Sequence, residues 1–335
     1  MNLVSIIIPH FNRPALLQQA IDSVKAQTYP DWEILVVDDK SDNRVYSDLQ
    51  TLASEKIQIF QRRDEPKGPS ACRNIGAEKA KGKYLIFLDS DDMLMLFCLE
   101  QRVGQMESNG SLDAGVFLMQ ALRDESQDVG KLYNTDLPES EWVSAFIRNQ
   151  NPWNVTCPIW KKDAFEKVGG FDESFFYMED PELHVRALQA GLKFKTFYQY
   201  PADCRYRMNY FDEAKSDFYY NSILYRIRFY QKLTSGFYPP QFVKKHIADI
   251  KTGVAQLIKT FLYSRVSQFP DLYEELMRWM KSSGIYNKRE ITWYSLLMKI
   301  GNTENKFLRA MKVRGVCYKM LPSPSAGSRP PDDEG

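Results

Sequence analysis

The chain has only three histidines in 335 residues, His10, His184 and His246, and no two of them stand at a metal-binding spacing such as H-E-x-x-H. Its five cysteines, Cys72, Cys98, Cys157, Cys204 and Cys317, are odd in number and widely spaced, with no C-x-x-C pair. That excludes a disulfide framework and a cysteine zinc site, and it fits a reducing compartment. Charge of one sign is also missing: 44 Lys and Arg against 43 Asp and Glu leave +1, so there is no global electrostatic reason to expect nucleic acid. No window approaches the roughly 18 uninterrupted apolar residues of a membrane span. The opening "MNLVSIIIPHF" lacks the basic n-region and long apolar run of a signal peptide. The expected location is therefore cytoplasmic, at most peripheral on the inner face of a membrane, and the sequon at Asn154 reads as chance. No G-x-G-x-x-G follows the first strand, where "PHFNRP" stands instead, which excludes a dinucleotide oxidoreductase. No internal repeat is visible.

What is present is an ordinary globular composition, 44% hydrophobic and 26% charged, with length enough for a large domain and an appendage. The first hundred residues alternate strand and helix. Residues 4–8 form a branched apolar strand. Residues 14–27 carry a helical stripe through Leu16, Leu17, Ala20, Ile21 and Val24, with Pro14 suited to the first turn. "WEILVVDD" is a second strand, residues 57–61 a third, residues 70–81 a helix closed by Gly82, and residues 84–88 a fourth strand. Near-continuous apolar strands alternating with helices predict an α/β fold with a mostly parallel sheet covered on both faces. Farther on, residues 114–119 read as a strand and the polar stretch to about 140 as loop. "VTCPIWKKDAFEKVGGFDESFFYMEDPELHVRALQAGLKFKTF" reads as strand, short helix, Gly-Gly turn, loop, helix from about 181 and strand. Beyond 210 the pattern is helical, and "LPSPSAGSRPPDDEG" has the composition of a disordered tail.

Chemistry is concentrated where strands end. "YLIFLDSDDM" follows an apolar strand with Asp89, Ser90, Asp91 and Asp92. Close carboxylates repel one another and resist desolvation, so either a hard divalent cation sits among them or they cap the next helix. The second strand likewise ends in Asp38 and Asp39. In parallel α/β sheets ligands gather at the carboxyl ends of strands, which favours a binding site.

"VSIIIPHFNRPALLQQAIDSVKAQTYPDWEILVVDDKSDN", "RNIGAEKAKGKYLIFLDSDDM" and "VGGFDESFFYMEDPELHVRALQAGLKF" together resemble the successive blocks of a family 2 glycosyltransferase with the GT-A fold, over roughly residues 3–200. The resemblance implies an inverting transferase that takes a nucleotide-diphosphate sugar, usually a UDP-sugar, with Mn2+ or Mg2+. With the helical pattern and the tail composition read above, the chain divides into a transferase-like domain over 1–210, a helical C-terminal region over 211–321 and a tail over 322–335. Asp89 and Asp91, two apart, would share one face of an extended segment, one taking ribose hydroxyls and the other the metal. By resemblance Asp91 is the metal ligand, with Asp89 beside it and Ser90 between. Asp92 is either second to the metal or a helix cap. Asp39 is the reader of uracil N3–H, with Asp38 next to it, and Pro9 and Phe11 would wall the base. Arg73, or its rival Lys67, would touch base or phosphate. Asp180 would be the general base and Glu179 its companion. His184 either touches the leaving phosphate or packs, and Trp153 and Trp160 either stack on sugar rings or fill the core.

The expected partners are a nucleotide-sugar donor and a glycan or lipid-linked acceptor hydroxyl in cell-surface glycan synthesis, with no nucleic acid. "ENKFLRAMKVRGVCYKML" is a basic amphipathic stretch, either a peripheral membrane contact through 303–321 or a solvated face. Two rivals were weighed. A haloacid-dehalogenase-type phosphatase needs Thr or Val then Gly after its second aspartate, which "DSDDM" lacks. A sugar-nucleotide-binding regulator without catalysis would not need both Asp91 and Asp180.

Overall fold

The computed structural model describes residues 2–62, 68–124, 127–207, 216–302 and 313–321. Cα packing divides the chain into two compact units, Met1–Val143 with Asn151–Phe211, and Ser144–Gln150 with Asp212–Gly335.

The first unit is a mixed α/β fold with a central sheet flanked by helices. Its first half runs β1 (Val4–His10), α1 (Pro14–Lys25), β2 (Trp32–Asp38), α2 (Asn43–Gln50), β3 (Ile57–Gln61), α3 (Pro69–Lys79) and β4 (Tyr84–Phe87). Then come β5 (Met93–Leu94), α4 (Cys98–Ser108), β6 (Ala114–Val116), the hairpin β7 (Met119–Asp124) and β8 (Gln127–Leu132), and α5 (Glu139–Ile147), whose last turn belongs to the other unit. The unit closes with β9 (Pro158–Lys161), α6 (Lys162–Lys167), α7 (Glu179–Gln189), β10 (Phe194–Thr196) and β11 (Cys204–Arg207). Seven strands form the main sheet in the order β10-β6-β9-β4-β1-β2-β3. Their pairings are parallel except where β9 runs against β4 and β6. Ile6, Ile7 and Ile8 on β1 and Ile34 to Val37 on β2 are fully buried. Each such side chain contributes about 1.5–3 kcal/mol on leaving water, so the strands are held from both faces.

Three expectations are corrected. The stretch read as loop to 140 holds the β7–β8 hairpin and the start of α5. With β5 and β11 the hairpin makes a second, four-stranded sheet, whose polar strands carry too little apolar alternation to read as such. The single strand at 114–119 is two pieces in different sheets, divided at Phe117 and Leu118. And α3 ends at Lys79, not at Gly82. Ala80 already has extended backbone, and Gly82 serves close approach instead: a Cβ there would lie 2.7 Å from the Ser5 amide nitrogen and 2.8 Å from the Leu3 carbonyl oxygen.

Inside this unit Arg102 and Asp203, both without solvent exposure, pair at 2.7 Å, and the guanidinium also donates to the Thr156 carbonyl at 2.8 Å. The pair fixes α4 against the segment entering β11. Unsatisfied, either charge would be costly to bury.

The second unit is helical among the described residues: α8 (Ser216–Thr234), α9 (Pro240–Lys245), α10 (Ile247–Leu257), α11 (Pro270–Ser282), α12 (Lys288–Gly301) and α13 (Val313–Met320). Ile227 and Tyr230 of α8, Ile250 and Val254 of α10 and Leu276 of α11 are buried within it. Asp249 accepts from Ser144 at 2.7 Å and from Arg148 at 2.9 Å, which ties residues 144–150 to α10. No described helix is long and apolar enough to cross a membrane. The tail expected over 322–335 lies outside the described residues.

Candidate active site

The carboxyl ends of β1, β2 and β4 open on one cavity of about 540 Å³, within the usual range for a small-molecule site. At the end of β1 the chain turns through Asn12 at φ 50°. His10 is buried, its Nδ1 2.9 Å from Asp38 Oδ1, and its Nε2 accepts the Arg13 amide at 3.1 Å. That pattern places the proton on Nδ1. Asp38 also accepts the Ser41 amide at 2.9 Å and the Ser41 hydroxyl. Burial pushes the Asp38 carboxyl up, but the hydrogen bonds from His10 and Ser41 outweigh it and hold it below the usual carboxylate range. Asp38, placed beside the base reader by the resemblance, is 0% exposed and does not line the cavity. It is the brace that sets the two strand-end turns.

Asp39, one residue on, does line the cavity. Arg62 Nε donates to it at 2.7 Å and the Gly68 amide at 2.9 Å. Gly68 has φ 139°, a backbone that a side chain would strain, and that conformation aims its N–H at the carboxylate. Pro9 and Phe11 line the same wall, Phe11 being 49% exposed. Lys67 lies outside the described residues.

Asp89, Ser90 and Asp91 reach the cavity from the end of β4. The segment is a turn and not extended, since the Asp92 amide donates to the Asp89 carbonyl at 3.0 Å. The shared strand face expected for Asp89 and Asp91 is therefore wrong; the turn itself brings both to the rim. Asp92 points away, 1% exposed, and accepts the Arg207 amide at 3.1 Å. Burial, with Asp89 and Asp91 close by, pushes its carboxyl well up. It caps no helix, because α4 is preceded by Phe97 and begins at Cys98.

Arg73 joins distant parts of the rim. It is 3% exposed, and its guanidinium donates to Asp89 at 2.6 Å and to Glu179, at the start of α7, at 3.0 Å. Burial disfavours its charge, but the two carboxylates more than offset that and raise its pKa. Burial likewise pushes Glu179 above the usual range even though Arg73 pulls it down. Arg73 thus holds the two acids rather than standing free for a phosphate, and Glu179 lines the cavity.

Asp180 does not line that cavity. Its side chain is 13% exposed, with Oδ1 2.8 Å from His184 Nδ1 one helical turn later. His184 is buried beneath it, edge-on to Trp153 at 5.5 Å and stacked on Trp160 at 5.8 Å. The phosphate-contact alternative for His184 and the sugar-stacking alternative for the two tryptophans are thereby excluded, since all three are core. α7 also holds the loop before it. Arg186 pairs with Glu182 and donates to the Gly170 carbonyl at 2.7 Å, while Asn74 accepts the Phe171 amide at 2.9 Å.

Six lining residues escaped the sequence reading: His10, Pro69 and Cys72, and with them Phe176, Tyr177 and Arg13. Phe176 and Tyr177 sit in the aromatic run just before the Glu-Asp pair, which was a usable signal. Arg13 is 55% exposed along its side chain and donates to Asp91 at 2.8 Å; only its place beside Pro14 at a helix start marked it.

Among the described residues no three Asp, Glu, His or Cys side chains form a preformed metal cage. Magnesium-type ions need none, because they bind through one or two carboxylates plus phosphate oxygens and water. Asp91, partly exposed and covered by a solvent-facing Arg13, with Asp89 next to it, fits that pattern.

Residues 5–156 match the family model described as glycosyl transferase family 2. An uncharacterized glycosyltransferase of Haemophilus influenzae is 29% identical over 190 residues, 56% of this chain and 62% of that protein. The UDP-Glc:alpha-D-GlcNAc-diphosphoundecaprenol beta-1,3-glucosyltransferase of Escherichia coli is 35% identical over 107 residues, 32% of this chain and 42% of that one. The chain thus spans less than two thirds of either relative. In fold it is similar to S. aureus TarS 1-349, solved in complex with UDP-GlcNAc, with a TM-score of 0.61 at 14% identity, over 94% of this chain and 89% of that one. Matched sequence and fold point the same way: residues 5–156, a little under half of the chain, carry the match to glycosyl transferase family 2.

Proposed function

We propose that the chain is an inverting glycosyltransferase that moves a sugar from a nucleotide-diphosphate sugar, a UDP-sugar, to an acceptor hydroxyl in one displacement. The observation that carries this is the meeting of Asp39, Asp89, Asp91 and Glu179, from separate stretches of chain, around one cavity. Asp39 keeps unused lone pairs beyond Arg62 and Gly68 and accepts uracil N3–H, with Pro9 and Phe11 against the ring. Asp89 takes the ribose hydroxyls. A Mn2+ or Mg2+ ion held by Asp91 would supply Lewis-acid neutralisation of the diphosphate. Arg13 then turns from Asp91 toward the phosphates.

Asp180 takes the proton of the acceptor hydroxyl as its oxygen bonds to the anomeric carbon and the carbon–phosphate oxygen bond breaks, its electrons leaving with the diphosphate. Glu179 is bound to Arg73, so the base role falls to Asp180 beside it at the start of α7, whose carboxylate stands 2.8 Å from His184 Nδ1 while the His184 hydrogen bond goes to the Asp180 carbonyl at 2.9 Å. The acceptor we assign is a lipid-linked glycan, supported by the E. coli relative's diphosphoundecaprenol acceptor. Cytoplasmic placement with a peripheral membrane contact suits such an acceptor. The stretch first considered for that contact, 303–321, is described only from 313 on.

The test is Mn2+-dependent release of UDP from a panel of UDP-sugars, with Asp180→Asn beside wild type. Turnover should fall by at least about a hundredfold, the usual scale for a general base, with donor affinity retained. Release unaffected by the substitution would move the base elsewhere, and no metal-dependent release from wild type would leave only a binding protein.

A further inference from the structure

The chemistry of the cavity leaves one face of the helical unit without a role. A groove of about 730 Å³ runs between α11 and α12. α12 buries Tyr294, Leu297 and Met298 and turns Arg289, Trp293 and Leu296 outward at helical spacing. Trp293 is 41% and Leu296 46% exposed, an apolar pair on a surface that otherwise carries charge. Lys288 and Arg289 stand at one end of this stripe and Lys299 at the other, while α11 adds Arg278 and Lys281 along the groove. Among the described residues none of these five cations is in an ion pair. Among the described residues Glu274 is the single acid lining the groove, and Glu290 on α12 is already bound to Lys251 at 2.6 Å.

We infer that this face of α11 and α12 is a landing surface for an anionic lipid bilayer, with Trp293 and Leu296 entering the headgroup boundary and the cations lying among the lipid phosphates. Charge complementarity selects the occupant. Unpaired cations around an apolar centre match an anionic interface, and tryptophan is the side chain most at home there. A second copy of the chain fits worse, because a two-fold contact would set the same cationic rim against itself. The contact sits on α11 and α12, and it is independent of the reaction assigned to the cavity.

The full chain is tested by co-sedimentation with vesicles of equal parts phosphatidylcholine and phosphatidylglycerol, and with phosphatidylcholine alone. Wild type should sediment with the mixed vesicles only. Each cation near such a surface is worth roughly fivefold in binding, so Lys288→Glu with Arg289→Glu should weaken it by at least about tenfold. Trp293→Ala with Leu296→Ala should do likewise, with unchanged circular dichroism and unchanged release of UDP in solution. Charge reversal at Lys306, Arg309 and Lys312 should leave binding in place. Equal sedimentation with neutral vesicles, wild-type binding by both α12 variants, or loss only on reversal at 306, 309 and 312 would overturn the inference. So would a wild-type dimer that ignores lipid and that Trp293→Ala with Leu296→Ala makes monomeric.

Discussion

Replacing Arg73 by methionine removes one buried cation and leaves two acids facing each other. Asp89 is 33% exposed along its side chain and recovers hydration, but Glu179, at 14%, does not. At an effective dielectric of about 20, unit charges about 4 Å apart interact by about 4 kcal/mol, and breaking one partner from a buried pair costs about 3–5 kcal/mol. With Asp89 partly relieved, the lower figure applies: about 3 kcal/mol at pH 7.5, or a fall in the apparent midpoint of roughly 6–12 °C for a unit of this size. The pH dependence distinguishes this cause from a simple packing defect. Burial already raises the Glu179 carboxyl above its unfolded value, and Arg73 is the main force holding it down. Without Arg73 it rises further, so the folded variant prefers the protonated form. A group with a raised folded pKa contributes its stability below the unfolded value and loses it as pH rises through the folded one. The gap between wild type and Arg73→Met should therefore be widest near pH 7.5 and narrow toward pH 5. Thermal and urea unfolding followed by circular dichroism at both pH values measure it. A loss under about 1 kcal/mol at pH 7.5, well below the range for a broken buried pair, would refute the bridging role, as would a gap that stays constant with pH.

Two further substitutions separate brace from site. Asp38→Asn should cost about 1–3 kcal/mol at neutral pH, because an amide turns an N–H toward donors from His10 and Ser41. Burial opposes Asp38's charge, yet those hydrogen bonds hold its folded pKa low, so its stabilisation is present above the unfolded value and is lost as pH falls through the folded one. Urea midpoints across acid pH should show the two proteins converging, and parallel curves would contradict the brace. Asp91→Ala should abolish the Mn2+ dependence of UDP binding in calorimetry while leaving the unfolding midpoint nearly unchanged, since its partner Arg13 is exposed. Unaltered metal-dependent affinity would remove Asp91 from the site.

The sheet was legible because its strands are buried on both faces: Ile6 to Ile8 and Ile34 to Val37 leave periodicity no rival. The β7–β8 hairpin was not, since a polar edge depends on partners distant in sequence, such as β11, that no local window contains. The acids divide in the same way. Position in sequence told that Asp38, Asp39, Asp91 and Asp92 follow strands, but not which way each carboxylate turns. The turn after β4 settles that for one pair, sending Asp89 and Asp91 to the rim and Asp92 inward toward the Arg207 amide. The His10–Asp38–Ser41 contacts settle it for the other, leaving Asp39 as the member that lines the cavity. Arg73 was legible as a residue of the site, and it lines the cavity, but its two carboxylate partners were not legible, because Asp89 and Glu179 lie far from it in sequence. In that arrangement each rim acid already has a cation, Arg62 on Asp39, Arg73 on Asp89 and Glu179, and Arg13 on Asp91 at the surface. Only the outer cation, 55% exposed, is able to yield its carboxylate at little cost. That is why Asp91 is the acid on this rim that we propose for a divalent ion: its exposed partner can leave without unfolding the wall behind it.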